Sequence, residues 1–117
     1  MNTLLTTVLD RSPGWDAVRA RGEVDLGTVP VLRDALLSAL DVDPSPGLLV
    51  VDLTGVSFMG SVGLTVLVEA GERATSLERD LIVVATPGGV VRRAIEITGL
   101  DQALAIADDV DQATAGR

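Results

Sequence analysis

Hydrophobic positions along the chain follow two spacings, one of strands and one of helices. Residues Leu4 to Leu9 are β-branched and aliphatic, Ser12-Pro13-Gly14 makes a turn, and Trp15 to Glu23 reads as a second strand, with Trp15, Ala17 and Val18 at its start. Thr28 is placed to cap a helix that tolerates Pro30 in its first turn. Its apolar positions are Val29, Leu32, Leu36 and Ala39 or Leu40, and the spacing predicts an end near Asp41. Pro44-Ser45-Pro46-Gly47 then breaks the chain. Leu48 to Leu53 is a nearly continuous apolar run, the pattern of a strand buried on both faces, and it is the expected central strand.

Thr54 to Gly60 reads as a loop. Ser61 is placed to cap a second helix with Leu64, Leu67, Val68, Gly71 and Ala74 on one face and Glu69, Glu72 and Arg73 outside, ending before Leu77 to Asp80. Leu81 to Ala85 repeats the buried-strand pattern and Pro87-Gly88-Gly89 turns. Val91, Ala94, Ile95 and Thr98 line a third helix, and Gly99 stands where a C-terminal cap needs positive φ. A short strand near Leu104 to Ile106 and an acidic tail from Asp108 to Arg117, helical or frayed, complete the chain.

The predicted order is β-β-α-β-α-β-α-β. It implies an α/β fold, a mixed but mostly parallel sheet of about five strands with helices packed over it, in one domain over residues 1–117. Helical crossovers make the strands they join parallel. They gather the loops that follow the strands at the sheet's carboxyl edge, where partner-binding loops are expected.

Composition narrows the chemistry. The chain has 117 residues, 47% of them apolar, with one Trp and one Phe, so its core is aliphatic. It has no Cys and no His, which removes thiolate catalysis, the usual zinc ligands and histidine triads. A net charge of −8 disfavours nucleic acid as a partner. No run approaches the roughly 18 apolar residues of a membrane span, so direct membrane insertion is not expected and the cytoplasm is the expected location.

Two stretches carry a family resemblance. One is Gly22-Glu23-Val24-Asp25 with the following Leu32-Arg33-Asp34-Ala35-Leu36. The other runs from Val51-Asp52-Leu53 through Phe58-Met59-Gly60-Ser61-Val62-Gly63-Leu64. Together they resemble the STAS domain of bacterial anti-sigma factor antagonists. The resemblance implies a protein without enzymatic activity or cofactor that binds an anti-sigma factor of the serine-kinase type, releases a sigma factor and so regulates transcription by partner switching. In that family the switch usually reads Asp-Ser-Ser-Gly-Leu or Asp-Ser-Thr-Gly-Leu, with phosphate added to the second hydroxyl residue. Here Gly60 replaces the Asp, Ser61 remains, and Val62, which has no hydroxyl, holds the acceptor position.

The expected partner-binding residues are therefore Asp25, Phe58, Met59, Gly60, Ser61, Val62 and Val66. Gly60 would allow close backbone approach, and Val62 and Val66 would form an exposed apolar pair away from Leu64, Leu67 and Val68. Val62 and Val66 as peripheral core is the alternative. Ser61 is both a plain helix cap and a candidate phosphorylation position. Monomer and weak dimer both stay open. A STAS subunit that braces a membrane transport ATPase is the second reading of the same resemblance.

Other features have simpler explanations. Asp25 and Asp52, both near strand ends, could meet at the carboxyl edge as an acid/base or metal-binding pair, but neither supplies a nucleophile or a full ligand set; local capping of backbone amides is the competing reading. Gly88-Gly89 lacks the ending of a phosphate loop and reads as a tight helix entry. Arg92 and Arg93 are expected in solvent.

Overall fold

The computed structural model describes residues 4–42 and 47–117. Five strands form one sheet in the order β1-β2-β3-β4-β5: β1 Thr6–Arg11, β2 Asp16–Val24, β3 Leu48–Met59, β4 Asp80–Val84 and β5 Ala105–Ala107. β1 runs antiparallel to β2, and the other neighbours are parallel. The helices are α1 Val29–Leu40, α2 Ser61–Ser76, α3 Val90–Ile97 and α4 Val110–Thr114, with a 3₁₀ turn at Leu100–Gln102. This is the expected order, with the acidic tail folded into α4. Of the predicted break at 44–47, only Gly47 lies within the described residues.

The burial pattern explains the sequence pattern. One face of the sheet carries the main core, in which Val18, Val51, Leu53 and Val83 meet Leu32 and Leu36 of α1, Leu67 of α2 and Ile95 of α3. A smaller cluster on the opposite face joins Ala17, Leu48, Val50, Val84 and Ala107 to Ala113 of α4. Alternate residues of β3 from Leu48 to Val51 thus enter two different cores, which is why the run is apolar at every position.

α1 and α2 follow parallel strands and lie side by side. Arg33 of α1 clamps Glu69 of α2 with both carboxylate oxygens engaged, at 2.9 and 2.7 Å, and Asp41 meets Arg73 at 3.1 Å. The buried guanidinium of Arg79, just before β4, donates to the carbonyls of Ala39 and Leu40 at 3.0 Å each, so the chain's return into the sheet also satisfies the carboxyl end of α1. Gly99 takes φ +76°, as its position after α3 predicted.

Two local expectations are corrected. Thr54 to Gly60 is strand up to Met59, because the far half of β3 continues to pair with β2 from Arg21↔Gly55 to Val24↔Met59. The register shifts between Arg19 and Arg21 and between Gly22 and Glu23 disturb its alternation, which hid the strand pattern. Arg92 is not in open solvent: it donates to the Ala85 carbonyl and to Asp108, both at 2.9 Å, pinning α3 to the segments that follow β4 and β5. Arg93 is exposed as expected. Among the described residues, no helix is long and apolar enough to cross a membrane.

Candidate functional site

The carboxyl ends of β2 and β3 place the first turns of α1 and α2 next to each other. The turn between β2 and α1 is organised by Asp25, whose Oδ1 accepts hydrogen bonds from the amides of Gly27 (2.9 Å) and Thr28 (3.0 Å). The Thr28 hydroxyl accepts from the Asp25 amide at 3.0 Å and donates to the Glu23 carbonyl at 2.7 Å. Thr28 therefore occupies the cap position of α1 but ties the preceding turn together and makes no side-chain bond to a helix amide. A carboxylate that accepts local amides in this way is structural. The result is a rigid turn that holds Leu26 out in solvent, 79% exposed.

At the end of β3, the Gly60 amide donates to the Val24 carbonyl at 2.8 Å and fastens the start of α2 to β2. Gly60, not Ser61, is the N-cap: it is extended at φ −77°, ψ 166°, while Ser61 is already the first helical residue and is exposed. A β-carbon on Gly60 would come within 3.3 Å of the Val24 carbonyl oxygen, which favours glycine at this approach. Gly63, one turn in, packs against Met59 and Val24 so closely that a β-carbon would lie 2.6 Å from a Val24 methyl. The small residues of Gly60-Ser61-Val62-Gly63 thus let the helix sit directly on the strand ends.

The expected partner residues separate into three groups. Phe58, Ser61 and Val62 reach the surface; Phe58 is 47% exposed with its ring edge beside Gly60, and Val62 is half-buried. Asp25 and Gly60 shape the backbone beneath them. Met59 and Val66 are core residues, so the predicted exposed valine pair does not exist: Val66 is only 7% exposed. Glu69 and Arg73, three and seven residues beyond Val66, reach α1, so this side of α2 is the helix–helix seam and not a free face. Of the two valines, Val62 is the one that keeps partial contact with solvent.

Asp25 and Asp52 do not meet. Asp52 pairs with Arg19 in mid-sheet, five positions along β2 from Val24, and its Oδ1 accepts from the amide and hydroxyl of Thr54. Among the described residues no group of three or more acidic side chains is arranged to hold a metal ion. Leu26 was missed by the sequence reading; its signal was an apolar residue inside a turn otherwise built from Asp, Gly and Thr. Leu26, Phe58, Ser61 and Val62 belong to the two junctions where β2 leads into α1 and β3 into α2; Leu26, Phe58 and Ser61 are exposed there and Val62 is half-buried.

The model of the STAS domain family matches residues 7–113. The anti-sigma-F factor antagonist RsfB of Mycobacterium tuberculosis is 32% identical over 115 residues, which cover 98% of this chain and 90% of RsfB. A crystal structure of an anti-sigma factor antagonist from Mycobacterium paratuberculosis superposes with a TM-score of 0.83 at 37% identity, covering 93% of this chain and 90% of the other. The anti-sigma factor antagonist SpoIIAA in its unphosphorylated form shares the fold, with a TM-score of 0.71 at 19% identity over 92% of each chain.

Proposed function

Because the chain belongs to the STAS domain family, we propose that it is an anti-sigma factor antagonist whose docking surface is the rim formed by Leu26, Phe58, Ser61 and Val62. The observation that carries this reading is the pairing of two exposed apolar side chains with a helix start held rigidly against the strand ends. Two relatives that cover nine-tenths or more of this chain are named as antagonists of anti-sigma factors. Binding derives from burial of the rim against the partner, and the partner is an anti-sigma factor of the serine-kinase type.

Val62 decides how such binding is controlled. A phosphate on a hydroxyl at this helix start would be held by free amides and the helix dipole and would add nearly two negative charges to an apolar contact. Valine cannot accept one, so phosphorylation at this position cannot switch the association off. Ser61, exposed and bearing a hydroxyl without a capping role, is the remaining acceptor in the turn.

The test is an affinity capture from the source cell's lysate, with the native chain and Val62→Asp as baits and mass spectrometry of the retained proteins. Recovery of an anti-sigma kinase by the native bait alone supports the partner and the surface together. Recovery of a transport ATPase in its place overturns the partner, and equal retention by both baits overturns the surface. Direct titration with the recovered protein should show Val62→Asp weakening binding by about 1 kcal/mol or more.

A further inference from the structure

The sheet's first edge is formed by β1, on the far side of β2 from β3. Among the described residues nothing pairs with the outer side of β1, which presents Thr6-Thr7-Val8-Leu9-Asp10-Arg11 as an unbroken strand. Its pairing with β2 runs from Thr6↔Arg21 to Arg11↔Asp16 without a register shift, and it contains no proline and no lysine. These are the devices by which edge strands are usually kept from adding another strand. Val8 is 57% exposed on the open face of the sheet, and Leu9 is also exposed, on the face that carries α1.

We propose that β1 pairs antiparallel with β1 of a second copy of this chain about a two-fold axis at Val8. A dyad perpendicular to the sheet keeps both helix layers on one side, so residues directly opposite each other must have come from the same face. Every residue of the strand can sit at such a dyad, but only Val8 and Leu9 set five residues of each copy opposite one another, whereas Thr7 and Asp10 set three and Thr6 and Arg11 one. Asp10 opposite Asp10 sets like charges face to face and is disfavoured. Leu9 opposite Leu9 puts Asp10 across from Val8 and gives Arg21 no new contact. Val8 opposite Val8 makes a β-branched cross-strand pair and places Thr6 opposite Asp10 of the second copy.

That last register is also the one the charges favour. Arg21 lies next to Thr6 in the sheet, is exposed, and makes no hydrogen bond or ion pair among the described residues. Asp10 of the second copy would lie two strand spacings away, about 10 Å between backbones, in line with Arg21 across the short Thr6 side chain. Arg19 already holds Asp10 within its own chain at 3.1 Å, so the carboxylate would sit between two guanidinium groups. On the other face, Leu9 of the second copy falls opposite Thr7, at the open side of a groove of about 360 Å³ between β1 and α1 that Val18, Ala35 and Ala39 help to line. Backbone pairing, an apolar pair and a reciprocal ion pair thus select the same self-complementary arrangement.

Sedimentation equilibrium of the full chain should show a concentration-dependent dimer. Val8→Lys, which sets two like charges across the dyad, should raise its dissociation constant by about tenfold or more, and Arg21→Ala by a smaller factor, about threefold. The chain has no cysteine, so Val8→Cys introduces a single thiol that should oxidise to a cross-linked dimer faster than Leu9→Cys or Ser76→Cys. Circular dichroism melts confirm that each variant is folded. A single monomeric species at all concentrations, with Val8→Cys cross-linking no faster than Ser76→Cys, would overturn the proposal. Faster cross-linking through Leu9→Cys than through Val8→Cys would overturn the register.

Discussion

The two halves of β3 belong to one strand and do different work. From Leu48 to Leu53 the strand lies between β2 and β4 with cores on both faces, and five of its six residues are buried. From Thr54 to Met59, among the described residues, β2 is its only strand neighbour and only Val56 and Met59 are buried. In the first half burial dictates nearly every residue. In the second, the strand is anchored by two side chains and the others are left to face outward, which is how Phe58 comes to the rim.

Breaking the first half should cost the most. Leu49→Ala removes a fully buried side chain beneath the helices and should destabilise the protein by about 2–5 kcal/mol in urea unfolding. A loss below about 1 kcal/mol would mean that this half is not the structural one.

At the junction, Gly63→Ala should cost about 1–3 kcal/mol, because the new methyl meets Met59 and a Val24 methyl. Met59→Ala in the same chain should recover part of that loss, since it clears one of the two obstacles. A double-mutant cycle on thermal or urea unfolding measures the coupling. Strict additivity would contradict the packing of helix start on strand end.

Phe58→Ala sharpens the comparison from the other side. It should change stability by less than about 1 kcal/mol while weakening association with the anti-sigma factor by about 1–2 kcal/mol. The reverse outcome would make Phe58 a structural residue like those of the first half.

The same contrast explains what the sequence disclosed. Leu48 to Leu53, Leu81 to Ala85 and the helical spacing of Leu32 and Leu36 were legible because burial on one or two faces leaves a strong period. Thr54 to Met59 was not, because shifted register and one-sided pairing scrambled the alternation. Val66 was misjudged for a related reason: α2 is covered by the sheet below and by α1 alongside, so its buried arc is wider than a single stripe. Nothing in the local sequence marks that second contact, which depends on Arg33 and Asp41 from another helix. Of the residues proposed for docking, Phe58 and Val62 stand in the family pattern and Leu26 does not; its exposure comes from the turn that Asp25 and Thr28 build.

The smallest expected effect lies at the α1–α2 seam. The hydrogen bond from Arg33 holds the Glu69 carboxyl below its ordinary range, and Glu69 in turn raises the Arg33 guanidinium. A carboxyl lowered in the folded state contributes stability above its unfolded-state value, and that contribution is lost as pH falls through the folded-state value. Between pH 7 and about pH 3 the native chain should therefore lose a small increment of stability that Glu69→Gln lacks. Thermal melts of both chains across that range check it; identical pH dependence would contradict the pair's contribution.

The most direct test of the account is a footprint of the anti-sigma factor on the ¹⁵N-labelled chain by NMR titration. The account predicts that the largest amide changes fall on residues 25–28 and 57–63, where the two helix starts and the end of β3 meet. Changes concentrated on α4, or on the face of α3 that carries Arg93, with that rim undisturbed, would contradict it.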